Sequence, residues 1–295
     1  MTRITPHLWF DTQAKEAAEL YTSLLPKSQV TDVTTLRDTP TPSGDCDVVS
    51  FTLAEQPFQA ISAGPEFTFN PSISFIIHCA STEEVDALWH RLFDGGQALM
   101  PLDSYPFSER YGWLQDRFGL SWQVMYTEGE VPQKIVPMML FVGDVCGKAE
   151  EAIRFYAKTF DNSEVGEIMR YGPGAEPDAA DAVQFAAFRL DGYNVAAMDS
   201  AHEHNFAFNE AVSLMVQCED QAEIDRYWER LSAVPEAEQC GWLKDRYGVS
   251  WQIVPRAMDK MMRDADEKTL ARVTQSFLAM KKFDVAELEK AYAGT

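Results

Sequence analysis

Positive charge is scarce in this sequence: 25 lysines and arginines stand against 46 aspartates and glutamates, a formal net charge of -21. So acidic a chain repels nucleic-acid backbones and anionic membrane surfaces, and neither is an expected partner. Cysteine is sparse too. Its five residues, Cys46, Cys79, Cys146, Cys218 and Cys240, are odd in number and never form Cys-x-x-Cys. That argues against a zinc knuckle or disulfide framework and fits free thiols in a reducing compartment. No run of eighteen apolar residues occurs, and "MTRITPHLWF" lacks the apolar stretch of a signal peptide, so a soluble cytoplasmic protein is expected. A G-x-S-x-G elbow, an H-E-x-x-H helix and a P-loop are also missing; "GDVCGKA" (143–149) is one residue short and ends in Ala. No glycine fingerprint for a dinucleotide or methyl donor follows a strand, and "YGPGAEPDAAD" (171–181) has too acidic an end to cradle phosphate.

Apolar and aromatic residues are present in quantity, 46% and 12%, enough for full cores in two domains. One stretch is written twice: "GWLQDRFGLSWQVM" at 112–125 and "GWLKDRYGVSWQIV" at 241–254. The duplication extends backwards, "SISFIIHCASTEEVDALWHRL" (72–92) lying against "AVSLMVQCEDQAEIDRYWERL" (211–231). Further back, "ITPHLWF" (4–10) matches "IVPMMLF" (135–141), and "EAAELYTSLL" (16–25) matches "EAIRFYAKTF" (151–160). Two homologous halves follow, residues 1–127 and 133–255, with a separate tail at 256–295.

Period gives each half its elements. Residues 4–10 read as a strand; Ala14, Ala17, Ala18, Tyr21, Leu24 and Leu25 recur as the buried face of a helix; short strands follow near 29–36, 46–53 and 57–62. A second unit starts with a strand at 72–79 and a helix opened by the capping box Ser81-x-x-Glu84, matched by Asp220-x-x-Glu223. The twice-written stretch closes it as a hairpin, with the glycine of "DRFG" or "DRYG" at the turn. Each half is therefore expected to be α+β, a doubled βαβββ unit. The tail reads as three amphipathic helices packed on the sheets, with Asp284 as an N-cap.

With "PHLWFD" before "EAAELYTSLLPKS", "FTFNPSISF", "DRFGLSWQV" and the tail "MKKFDVAELEKAYAG", the chain resembles the PhnB-like branch of the vicinal oxygen chelate superfamily. This is the fold of glyoxalase I, bleomycin-resistance proteins and extradiol dioxygenases, and the branch often carries a 3-demethylubiquinone-9 3-methyltransferase label. The resemblance implies tandem glyoxalase/bleomycin-resistance domains, each a cupped half-barrel. It also implies metal ligands on the first and last strands of paired units. Those positions fall on His7 and Gln123 in the first half and on Met138 and Gln252 in the second, with Ala60, Ser74, Ala197 and Ser213 on the other two strands.

One imidazole and neutral amides make a poor divalent-metal set, so His7 and Gln123 are weak candidates and no cofactor is assigned. His7 shares a strand face with Trp9 and reads as a pocket-wall residue, a metal ligand or a base. Trp113 and Trp242 either line the cavities or fill the core. Phe67, Phe69, Phe206 and Phe208 sit in loops able to close over an apolar ligand. His202-Glu203-His204 reads as a solvated loop. The expected function is binding of a small, partly apolar molecule; the alternatives are a metal-dependent lyase, isomerase or dioxygenase, and methyl transfer. The halves are expected to act as an intrachain pseudo-dimer, with units paired either within or between halves. Pairing between halves would place His7 opposite Gln252.

Overall fold

The computed structural model describes residues 3–295. The fold is α+β and its chain runs through four consecutive units. The first is β1 (Ile4–Phe10), α1 (Ala14–Leu24), β2 (Gln29–Leu36), β3 (Cys46–Leu53) and β4 (Gln56–Ser62). The second is β5 (Ile73–Cys79), α2 (Thr82–Phe93), β6 (Gln97–Tyr105), β7 (Ser108–Gln115) and β8 (Ser121–Tyr126). The third is β9 (Ile135–Phe141), α3 (Ala149–Thr159), β10 (Glu164–Arg170), β11 (Val183–Leu190) and β12 (Tyr193–Asp199). The fourth is β13 (Val212–Cys218), α4 (Gln221–Leu231), β14 (Trp242–Lys244) and β15 (Ser250–Pro255), followed by α5 (Arg256–Asp264), α6 (Glu267–Leu278) and α7 (Val285–Ala293). The expected caps are in place: Ser81, Asp220 and Asp284 each accept from the backbone N–H three residues on.

Two sheets result, ordered β14-β15-β13-β1-β4-β3-β2 and β10-β11-β12-β9-β5-β8-β7-β6. The first joins units one and four through antiparallel β1 and β13, with His7 opposite Ser213. The second joins units two and three through β5 and β9, with Ser74 opposite Met138. Every sheet therefore takes one unit from each half. Central strands β1, β5, β9 and β13 are buried on both faces, which is why their sequences run almost continuously apolar.

Helices α1 to α4 pack on one face of the sheets, joining Leu8, Phe75, Phe141 and Leu214 in a common core. The twice-written motif supplies the anchors. Asp116 Oδ2 accepts from Tyr21 Oη on α1 at 2.7 Å and from Trp122 Nε1 at 2.9 Å, while its Oδ1 accepts from the backbone N–H of Phe118 and Leu120. Asp245 repeats the set with Tyr156, Trp251, Tyr247 and Val249. Burial pushes both carboxyls above the usual carboxylate range, and the Tyr, Trp and backbone donors oppose that shift. The turn glycines, Gly119 and Gly248, have φ of 87° and 88°, as the hairpin reading requires. Gly112 has another cause: a Cβ there would stand 2.4 Å from the Trp89 ring.

The fourth unit departs from the expected βαβββ pattern. Only residues 232–241 separate α4 from β14, too short a span for a counterpart of β6. The tail compensates: Cys240 N–H donates to Met280 O at 2.8 Å and Gly241 N–H to Lys281 O at 2.7 Å, with Phe283 buried beside Gly241.

Candidate functional site: two unequal cups

Side chains alternate across each strand, so the sheet registers fix which residues face away from the helices into the cups. In the first sheet these are Thr5, His7 and Trp9, beside Ser213, Met215 and Gln217, then Ser250, Gln252 and Val254. In the second they are Ser74 and Ile76, beside Val136 and Met138, then Ser121, Gln123 and Met125. Pairing between halves thus places His7 with Gln252, and Met138 with Gln123. Ala60 pairs with Leu8 and Ala197 with Met139, so both face the helix layer; the cup positions beside them are Gln59 and Ala196.

The first cup is polar at its centre and closed. His7 is 2% exposed and lies edge-on to Trp242, ring centroids 5.2 Å apart. Trp9 packs between Trp242 and Phe67, and its Nε1 donates to Gly64 O. Gln252 Nε2 donates to Ser213 Oγ at 2.9 Å. Two buried atoms here have no hydrogen-bond partner among the described residues, His7 Nδ1 and Ser250 Oγ. Burial alone holds the His7 pKa down to about 3, so the ring is neutral at physiological pH.

The second cup is apolar and its polar atoms are matched. Ile76, Val136, Met138 and Ala196 form a cluster of their own, flanked by half-buried Met125, Phe185 and Met198. Gln123 accepts from Tyr111 Oη at 2.8 Å and donates to Ser74 Oγ at 2.7 Å. Trp113 Nε1 donates to Ser121 Oγ at 2.7 Å, the bond for which Ser250 has no counterpart.

The loop aromatics divide. Phe67 reaches the first cup through Trp9, whereas Phe69 and Phe208 pack against Phe10 and Phe141 in the shared core. Their buried side chains are held by apolar contact with the helix layer and line neither cup. Phe206 is half-buried beside His204. His202 Nε2 stands 3.6 Å from Asp178, and His204 Nε2 stands 3.0 Å from Ser200 Oγ.

The metal implied by the fold does not fit these donors. The first cup offers one imidazole, three amides and three hydroxyls; the second offers an amide and hydroxyls. Among the described residues no group of three His, Cys, Asp or Glu is placed to hold a metal ion. Sequence reasoning missed Gln59, Tyr111 and Ser250. Their signal was the strand period once the register was known.

The paired half-barrels have the glyoxalase fold. Glyoxalase I from Zea mays shares the fold, at 10% identity and a TM-score of 0.55, covering 90% of this chain and 98% of its own. The profile of the 3-demethylubiquinone-9 3-methyltransferase family matches residues 2–125 and again 133–254, and the chain belongs to that family, the PhnB-like branch. A PhnB protein from Bacillus cereus is 37% identical over 42% of this chain and 98% of its own, with a TM-score of 0.39. A protein from Staphylococcus aureus is 32% identical over 43% and 98%, with a TM-score of 0.19. No curated protein matches the chain.

Proposed function

We propose that this chain binds a small, partly apolar molecule in its half-barrel cups and does so without a complete metal site. The observation that carries this reading is the lining of the cups: aromatic and aliphatic walls around a buried glutamine bonded to a serine hydroxyl, Gln252 in one cup and Gln123 in the other. Apolar walls supply affinity, and a few fixed polar groups supply orientation. Amide and hydroxyl oxygens are weak ligands for a divalent ion beside a single imidazole.

His7 favours a second reading, since a buried Nδ1 without a partner is an available donor to a metal. In that case the chain would be a lyase, isomerase or dioxygenase, with the ion as Lewis acid. Metal analysis combined with native mass spectrometry separates the two. An organic molecule carried by the purified protein, with divalent metal far below one per chain, supports the binding reading. Stoichiometric metal that disappears in His7→Ala overturns it. The family description brings methyl transfer as a third reading; a rise in melting temperature with S-adenosylmethionine would favour it.

A further inference from the structure

The tail treats the two cups differently. Between Pro255 and Met280, α5 and α6 form a strap pinned at both ends, by β15 and by the backbone bonds of Cys240 and Gly241. Its side-chain ties run to the rim and inner face of the first cup. Gln217, on the cup face of β13, donates to Asp259 of α5; Arg37, just beyond β2, lies 3.3 Å from Glu267; and Gln275 donates to Asp38 O at 3.1 Å. Leu36 and Cys46 at the far edge of that cup are buried, in the same apolar core as Met261, Val273 and Phe277 of the strap.

Four buried side-chain polar atoms lack a partner among the described residues: His7 Nδ1 and Ser250 Oγ in this cup, Thr274 Oγ1 on α6 of the strap, and Tyr193 Oη on β12. Thr274 shares the buried helix face of Leu270, Val273 and Phe277. Buried groups of this kind are normally satisfied, by protein, by water or by a ligand. An open crevice of about 520 Å³ separates Thr35, Arg37 and Asp38 on the rim from Asp266, the N-cap of α6, and from Lys268 and Ala271 on that helix. The Arg37 and Glu267 side chains beside it are largely exposed, and such a pair holds weakly.

We propose that α5 and α6 are the lid of the first cup, opening to admit a neutral ligand with hydroxyl or carbonyl groups and closing Thr274 over it. This rests on the small-molecule reading above and adds that the two cups fill by different routes. The neutral His7 and the uncharged Gln252, Ser213 and Ser250 select against an ion. The ligand's polar groups would pair with His7 Nδ1, Ser250 Oγ and Thr274 Oγ1.

Diethyl pyrocarbonate, which acylates neutral imidazole, reads lid opening without any ligand. In the full chain the rate at His7 is followed by peptide mass spectrometry, with exposed His90 as internal standard. Asp259→Ala removes a hydrogen bond to a charged group and should speed His7 labelling about tenfold while His90 is unchanged. A disulfide staple from Asp38→Cys with Gln275→Cys should suppress it, and reduction should restore it. Equal His7 rates in wild type, Asp259→Ala and the stapled chain would overturn the lid. So would labelling that appears only at the urea concentration of global unfolding. Either result leaves the small-molecule reading standing, because that reading fails instead on stoichiometric metal lost in His7→Ala.

Discussion

Replacing His7 by methionine, the residue the second half carries at the matching position, isolates the cost of burying an imidazole. In the folded protein the His7 pKa is lowered by burial to about 3, against an ordinary value of 6.5. Between those values the unfolded chain binds a proton that the folded chain refuses, so stability rises with pH across this window. The contribution of neutral His7 is fully present above pH 6.5 and is lost as the pH falls towards 3. One titrating group changes stability by about 1.4 kcal/mol per pH unit inside its window, so lowering the pH from 6.5 to 5 should cost wild type about 2 kcal/mol more than His7→Met. At pH 8 the two should agree within about 1.5 kcal/mol, as expected of a substitution of similar volume. Urea unfolding at pH 8, 7, 6 and 5, followed by tryptophan fluorescence, measures the difference directly. Parallel pH curves for the two proteins would refute the reasoning, because they would mean that His7 is solvated or charged when folded.

Tyr21→Phe and Tyr156→Phe each remove a hydrogen bond to a buried carboxylate and should each lower stability by about 1.5–3 kcal/mol in urea titrations. Loss from one and not the other would show that the two anchors are not equivalent. Gly112→Ala drives a methyl group into Trp89 and should cost about 1–3 kcal/mol by the same assay; a neutral result would contradict the close approach. Ser250 and Ser121 occupy matching positions with opposite expectations. Ser250→Ala deletes a buried hydroxyl without a partner and should stabilise the ligand-free protein by about 1 kcal/mol, whereas Ser121→Ala strands the Trp113 N–H and should destabilise it by about as much. Urea midpoints moving in the same direction would count against the difference drawn between the cups.

Much of this architecture was legible because local rules act within a few residues. The helix stripe of Ala14, Ala17, Ala18 and Tyr21, the caps at Ser81 and Asp220, and the turn glycines each depend on neighbours in sequence. Strand pairing was not legible, because β1 and β9 carry the same pattern and either half offers an acceptable partner strand. The roles of Asp116 and Asp245 went unread inside "DRFG" and "DRYG", although each recurs with a tyrosine and a tryptophan in its own half, the signal for a shared anchor. The lost strand of the fourth unit was written in the shorter segment before β14. An amphipathic stripe in the tail says that one face is buried and is silent about what it is buried against. Phe69 and Phe208 went astray for that reason too: loop aromatics fill a core as readily as a pocket.

Sharing each sheet between the halves has a further consequence for how the cups can change. A chain holding one half alone could complete a cup only with a second copy, and every substitution would then appear in both cups at once. With the halves joined through residues 127–133, the two positions related by the repeat become separate genetic sites. His7 and Gln252 now face one cup while Met138 and Gln123 face the other. The fusion releases the cups from enforced identity, so one can retain a polar centre beneath a cover while its sibling becomes a greasy, self-satisfied hollow.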